Sequence, residues 1–296
     1  MADVKERYGS YFDVFEILPN IVKNRDKTIV IKYGGNAMFD QEAKKSVIKD
    51  IVFLKMIGMQ PIVVHGGGPA INEHMERLGL EPEFIRGQRK TTPETLEIVE
   101  MVLCGKVNNE IIKMMNFEGA NAIGMSGKDM GMISARRLKG KYKNDGKIEY
   151  YDLGRVGEVT KIDTHIFDIL TEHDVIPVIA PIGVGDDNRD YNINADVLAG
   201  EIASEIKASY LVYLTDVDGI MKDPKDPGSV IHEIDVEEAK RSIGKTITGG
   251  MIPKVESSLE SIERGLLQAS ILNGMVQHSI LWEILTQERI GTTIVP

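Results

Sequence analysis

The chain of 296 residues contains one cysteine, Cys104, and one tryptophan. A single cysteine excludes an internal disulfide and a Cys-rich metal cage. Positive charge is in deficit. With 35 Lys and Arg against 45 Asp and Glu the formal net charge is -10, which argues against a duplex-binding surface. It does not argue against a nucleotide, because phosphate binding needs only local positive groups. No apolar run approaches the roughly 20 residues of a membrane span. The opening MADVKERYGS lacks the apolar centre of a secretion signal. The expectation is a cytoplasmic protein that binds neither membrane nor nucleic acid. Two phosphate-binding signatures are missing as well. There is no G-x-x-x-x-G-K-[ST], and no G-x-G-x-x-G stands between a strand and a helix. Any phosphate must be held another way.

What is present is ordinary for a folded chain: 42% hydrophobic and 27% charged residues. Short β-branched runs at 28–33 (TIVIKY), 61–65 (PIVVH), 122–125, 175–180, 209–215, 266–272 and 292–295 read as strands. Helical periodicity lies between them, with Val47, Ile48, Ile51 and Leu54 on one face, then over 69–78, 195–206, 252–264 and 279–286. Thr92-Pro93-Glu94 starts a helix expected to run to Met115, with Thr92 as its cap. The Gly-, Lys- and Tyr-rich segment between 125 and 175 reads as hairpins at a sheet edge, with 139–149 a long polar one. Alternation of strand and helix predicts an α/β fold, a three-layer α/β/α sandwich around an open, mostly parallel sheet. The expected division is an N-terminal helix over 1–27, a substrate lobe over 28–206 and a nucleotide lobe over 207–296, the two lobes sharing one sheet. Tyr11, Val14, Phe15, Leu18, Ile21 and Val22 form an apolar stripe on the first helix, which Pro19 is expected to kink. That stripe packs either on its own domain or on another subunit.

Two strands run into glycines, Lys32-Tyr33-Gly34-Gly35-Asn36 and His65-Gly66-Gly67-Gly68-Pro69. Such turns let the backbone approach an anion and aim N–H groups at it. Two in succession, the first with a lysine at the strand tip, point to phosphoryl handling. His65 by itself reads as a strand-end residue.

The segments IKYGGNAM, VHGGGPAIN, GQRKTTPETLEIVEMVLCGKVNNEI, GMSGKD, NINADVLAGEIA, LTDVDGI and GGMIPKVESSLESI, in that order, resemble the amino acid kinase family over nearly the whole chain from residue 28. Residues 87–110 and 192–203 are similar to its acetylglutamate-phosphorylating branch in particular. The resemblance implies transfer of the γ-phosphoryl of ATP, carried with Mg2+, to the side-chain carboxylate of N-acetyl-L-glutamate, the second step of arginine biosynthesis. It implies that Lys32, Lys254 and Asp196 are catalytic, the carboxylate orienting both lysines. It places Gly67, Gly68, Arg89 and Asn192 on the acceptor substrate, with Asn194 a neighbour easily confused with Asn192. Gly34, Gly35, Thr215, Asp216 and Gly219 fall on the nucleotide, and no protein-held metal is expected. Lys90 and Thr92 depart from the commonest pattern without touching Arg89. The first helix resembles the extension of arginine-inhibited hexameric members, trimers of dimers. The C-terminal run HSILWEILTQERIGTT resembles their arginine site, with His278, Glu283 and Gly291 at matching positions. Rival readings are a kinase for another carboxylate, such as an aminoadipate derivative, and a non-catalytic sensor of arginine or nucleotide.

Overall fold

The computed structural model describes residues 14–144, 147–223 and 225–296. Helix α1 (Val14–Asn24) comes first, followed by β1 (Thr28–Tyr33), α2 (Gln41–Met56), β2 (Gln60–His65) and α3 (Gly68–Arg77). A small hairpin, β3 (Phe84–Ile85) and β4 (Gln88–Arg89), precedes α4 (Pro93–Glu100). A π-helical stretch, Met101–Val107, links α4 to α5 (Asn108–Phe117). Then come β5 (Asn121–Ser126), β6 (Ile133–Asn144), β7 (Lys147–Ile162), α6 (His165–Glu172), β8 (Val175–Ala180), β9 (Ile182–Val184), β10 (Asp190–Ile193) and α7 (Ala195–Glu205). The last part holds β11 (Tyr210–Thr215), β12 (Glu233–Asp235), α8 (Val236–Ser242), α9 (Ile252–Glu263), β13 (Gln268–Asn273), α10 (Ser279–Leu285) and β14 (Thr292–Val295).

Eight strands form one sheet in the order β12-β14-β13-β11-β1-β2-β8-β5. Every pairing in it is parallel except β13 with β14. The four strands from β11 onward in sequence occupy one half, and the four earlier ones occupy the other. Strand period two sends alternate residues to opposite faces. Ile29, Ile31 and Tyr33 of β1 join a core with Val47, Ile48 and Ile51 of α2, Ile111 of α5 and Ile280 of α10. Val30 joins the other core with Leu198 and Ile202 of α7 and Val255 and Leu259 of α9. The architecture is therefore the expected three layers. Its consequence for chemistry is direct: Lys32 shares parity with Val30, so it faces the side that carries α7 and α9.

The segment read as edge hairpins does something else. β6 and β7 form one long antiparallel hairpin, and β9 and β10 close it into a four-stranded barrel beside the main sheet. The closing strands are three and four residues long, too short to signal themselves. Glycines make the closure possible. A Cβ on Gly157 would stand 2.6 Å from Tyr191 Cβ, and one on Gly183 would stand 2.8 Å from Ile193 Cδ1.

Helix α1 runs through Pro19 and docks on its own chain. Ile17 is buried, and Asn20 and Asn24 donate to the Leu285 and Ile284 carbonyls at 2.9 and 3.2 Å. The opposite side stays open: Phe15 is 85% exposed and Val22 69%. Tyr11 of the expected stripe lies outside the described residues. Among the described residues no helix is long and apolar enough to cross a membrane.

Candidate active site

The carboxyl ends of β1, β2, β8 and β11 open toward one region, as expected of ligand sites in parallel sheets. Three elements bring charge there. Lys32 is the penultimate residue of β1. Asp196 lies in the first turn of α7, which Asn194 caps by accepting from the Asp196 and Val197 amides at 2.8 and 3.3 Å. Lys254 lies in the first turn of α9. The Lys32 ammonium is 3.0 Å from one Asp196 oxygen, and the Lys254 ammonium is 2.8 Å from the other. Lys254 also donates to the Gly250 carbonyl at 3.2 Å. Each of the three residues is less than 10% exposed.

Close helix packing keeps this triad in register. A Cβ on Gly200 of α7 would fall 1.9 Å from Ser257 Oγ of α9. Ser257 and Tyr213 both donate to the Asp196 carbonyl at 3.3 Å. Burial raises the Asp196 pKa, but the Lys32 and Lys254 charges and hydrogen bonds outweigh it and hold the carboxyl below the usual range. A depressed carboxyl pKa contributes stability above about pH 4 that is lost as the pH falls through the folded value.

The triad stands between two clefts. The larger, about 570 Å³, is lined by Lys32, Gly66, Gly67, Gly68, Arg89, Asn192, Asn194 and Asp196 among others. The smaller, about 360 Å³, is lined by Thr215, Asp216, Gly219, Gly250, Met251 and Lys254 among others. Gly34 is pressed against Lys32, since a Cβ there would meet the ammonium at 2.2 Å. Gly35 adopts φ +74°, and Asp216 accepts from the Asn36 amide beside it. Asp216 therefore braces the first glycine turn as well as lining the smaller cleft.

Arg89 is more constrained than its sequence neighbourhood suggests. Its Nη2 donates to the Gly68 carbonyl at 3.2 Å and to Asn72 Oδ1 at 2.5 Å. Its Nη1 donates to Met75 Sδ at 3.4 Å, and its guanidinium stacks 4.7 Å from the Phe84 ring centre. Burial lowers its pKa from the ordinary value. Both Nη2 hydrogens are therefore engaged within the chain. Asn192 donates to Thr91 Oγ1 at 3.3 Å. Asn72, Met75, Phe84 and Thr91 were not singled out from sequence. The signal for Asn72 was its place four residues after Gly68 on α3, one turn down the same face.

His65 is wholly buried, and burial lowers its pKa to about 4. A histidine kept neutral by the fold contributes stability above pH 6.5, where the unfolded ring is also neutral. Between pH 6.5 and 4 only the unfolded chain takes up the proton, which costs roughly 3 kcal/mol by pH 4. The expected result is a fall in melting temperature over that interval in the wild type. The fall should be shallower in His65→Asn, and equal slopes by calorimetry would contradict it.

The positions expected to bind arginine are already engaged within the chain. His278, at φ +58°, faces Asp50 across 2.6 Å. Burial pushes Asp50 up to about 6, and the hydrogen bond that its carboxylate accepts raises the His278 pKa. One Glu283 oxygen accepts from Ser270 at 3.0 Å, from Thr293 and from Arg289 at 3.2 Å. Its other oxygen is buried with no hydrogen-bond partner among the described residues. The Gly291 carbonyl meets His232 Nδ1 at 3.1 Å.

Among the described residues no three His, Cys, Asp or Glu side chains group to hold a metal ion. The donors that are present, two buried ammonium groups and backbone turns, suit an anion.

The chain is 49% identical over 283 residues to acetylglutamate kinase of Methanococcus aeolicus, covering 95% of this chain and 96% of that one. It is 46% identical over 281 residues to acetylglutamate kinase of Heliobacterium modesticaldum, covering 94% and 95%. Among solved structures, N-acetylglutamate synthase from Neisseria gonorrhoeae, complexed with coenzyme A and N-acetyl-glutamate, superposes with TM-score 0.81 at 23% identity. The match covers 95% of this chain and 62% of that one. Carbamate kinase from Giardia lamblia bound to AMP-PNP superposes with TM-score 0.64 at 17% identity, covering 91% and 98%. These two likenesses speak for the fold. A sequence profile of the amino acid kinase family matches residues 27–273, and the chain belongs to that family.

Proposed function

We propose that this chain transfers the γ-phosphoryl group of ATP to the side-chain carboxylate of N-acetyl-L-glutamate, giving N-acetyl-L-glutamyl 5-phosphate, in the cytoplasm. The observation that carries the reading is the Lys32–Asp196–Lys254 triad standing between two clefts. Relatives named acetylglutamate kinase at 46–49% identity support the choice of acceptor.

The acceptor carboxylate is already an anion, so no general base is required. The barrier is bringing two anions together and holding charge on the transferring oxygens. Lys32 meets the phosphoryl group from the acceptor cleft, and Lys254 meets it from the nucleotide cleft. Asp196 fixes the spacing of the two ammonium groups while leaving the triad a net positive charge. Arg89 and Asn192 orient the acceptor, and the Gly67 and Gly68 amides face the reacting group. Mg2+ arriving on the nucleotide phosphates supplies further positive charge. The test is ADP release with N-acetyl-L-glutamate, free glutamate, aspartate and N-acetylaminoadipate in parallel. Turnover only with the first supports the reading, and turnover with another acid reassigns Arg89 and Asn192.

Inhibition by L-arginine and a hexameric assembly belong to the same proposal. The exposed Phe15, Leu18 and Val22 of α1 offer an apolar stripe for a second subunit, and α1 docks directly on α10. Deleting residues 1–24 is expected to reduce the hexamer to smaller species and raise the arginine concentration needed. Unchanged mass in light scattering would contradict this. Arg289 already offers a guanidinium to the carboxylate that would receive free arginine. Arg289→Ala is therefore expected to lower the half-inhibitory arginine concentration severalfold, and a rise instead would remove Glu283 from the receptor.

A further inference from the structure

His65 closes β2 immediately before the second glycine turn. Its Nδ1 lies 2.8 Å from the Gly66 carbonyl oxygen, and its Nε2 lies 3.1 Å from Asn108 Nδ2. The same Asn108 nitrogen is 2.9 Å from the Val178 carbonyl oxygen. That second contact decides the proton arrangement. Facing a carbonyl, the Asn108 side chain must present N–H, and its remaining hydrogen goes to His65. Nε2 is then the acceptor, and Nδ1 carries the hydrogen and donates to Gly66.

The carboxamide depends on a glycine opposite it. A Cβ on Gly124 would lie 1.7 Å from Asn108 Oδ1, so this side chain fits only over a glycine in β5. The helix is wound to reach this place. Met101–Val107 is π-helical, which inserts a residue and shifts the helical register of α5. Asn108 is the first residue after the π-helical stretch and is buried. From the same stretch, Leu103 Cδ2 falls 2.5 Å from where a Gly67 Cβ would stand.

We propose that Asn108 and His65 are positioning residues for the Gly66–Gly68 turn. The Asn108 amide selects the His65 tautomer, and the His65 Nδ1–H holds the Gly66 carbonyl toward the sheet. In a trans peptide the N–H points opposite to the C=O, so the Gly67 amide is turned toward the acceptor cleft that the three glycines line. The role rests on the reading that this turn offers N–H groups to the transferring phosphoryl group. The ring is fully buried, and its lowered proton affinity keeps it neutral across working pH, so it acts as a fixed dipole and not as an acid or base.

Two replacements separate this role from core filling. His65→Asn places an N–H where Nδ1 stood. His65→Gln places an acceptor where Nε2 stood and lacks the donor toward Gly66. The expected result is that His65→Gln lowers kcat by roughly 10- to 100-fold, as misplacement of a reacting-site group does. His65→Asn rescues it to within about threefold of wild type, while both lose comparable melting temperature. Equal kcat losses that track the melting temperatures would overturn the proposal. Nitrogen-15 NMR of the ring supplies a second reading on folded protein without substrate. The wild type is expected to show the Nδ1–H tautomer, and Asn108→Asp is expected to shift it toward Nε2–H or the doubly protonated ring. An Nε2–H tautomer in the wild type would overturn the proposal. Because the tautomer is read without turnover, a wild type inactive on N-acetyl-L-glutamate would sink the functional reading and leave this one standing or falling by the spectrum.

Discussion

Lys32→Ala is expected to lower kcat by about 10²- to 10³-fold, the usual cost of removing one preorganised donor to developing charge. The ammonium lies 3.0 Å from Asp196 and is only 9% exposed, so no mobile surface lysine can replace it. Its loss also takes the triad from one net positive charge to none, which removes part of the attraction between two anionic substrates. Asp196→Asn gives a different signature. Both lysines keep their charge and lose the carboxylate that spaces them. The KM for ATP is then expected to hold or fall while kcat drops by a comparable factor. Unpaired buried charge destabilises by about 3–5 kcal/mol, so the free Asp196→Asn protein is expected to melt earlier. Mg-ATP, which brings counter-charge, is expected to restore much of the loss. Steady-state kinetics with calorimetry in the presence and absence of nucleotide distinguish the two variants. Identical kinetic and thermal behaviour would contradict the spacing role of Asp196.

Arg89→Lys is expected to raise the KM for the acceptor by roughly 10- to 100-fold with kcat changed less than about threefold. That is the pattern of an interaction made equally in ground and transition states. The guanidinium is held flat by Phe84, by the Gly68 carbonyl and by Asn72. An ammonium has neither the plane to stack nor two parallel N–H groups. Asn72→Ala is the companion variant: freeing the Nη2 hydrogen that Asn72 occupies changes acceptor affinity without touching the phosphoryl side. Acceptor KM values for both variants check this, and a kcat collapse in Arg89→Lys at unchanged KM would move Arg89 from binding to catalysis.

Much of this architecture was legible because local signals agreed with the fold. Thr92 caps its helix by accepting from the Thr95 amide at 3.1 Å, as Thr-Pro-Glu foretells. The strands at 175–180 and 292–295 appear at the expected residues because their apolar runs are bounded by turns. Lys32 was marked by the glycines after it, and Asn194 and Asn192 separate into a helix cap and a cleft-lining donor. What stayed hidden depends on contacts distant in sequence. Lys254 meets Asp196 across 58 positions, and no periodicity encodes that meeting; the resemblance of the motifs supplied it. Asn108 meets His65 across 43 positions through a π-helical shift that hydrophobic spacing does not reveal. The barrel needed strands of three and four residues to find partners far along the chain. The pairing of Arg289 with the Glu283 carboxylate, six residues away, likewise has no signature in the sequence pattern.

Transfer of a phosphoryl group from the nucleotide cleft, past Lys32, Asp196 and Lys254, to a carboxylate held by Arg89 would make an acyl phosphate. An acyl phosphate reacts with hydroxylamine to give a hydroxamate, so the most direct measurement is to trap the product during turnover with Mg-ATP and N-acetyl-L-glutamate. The expected result is hydroxamate formed in step with ADP, and both lost together in Lys32→Ala. ADP released without hydroxamate, or hydroxamate formed undiminished by Lys32→Ala, would contradict it.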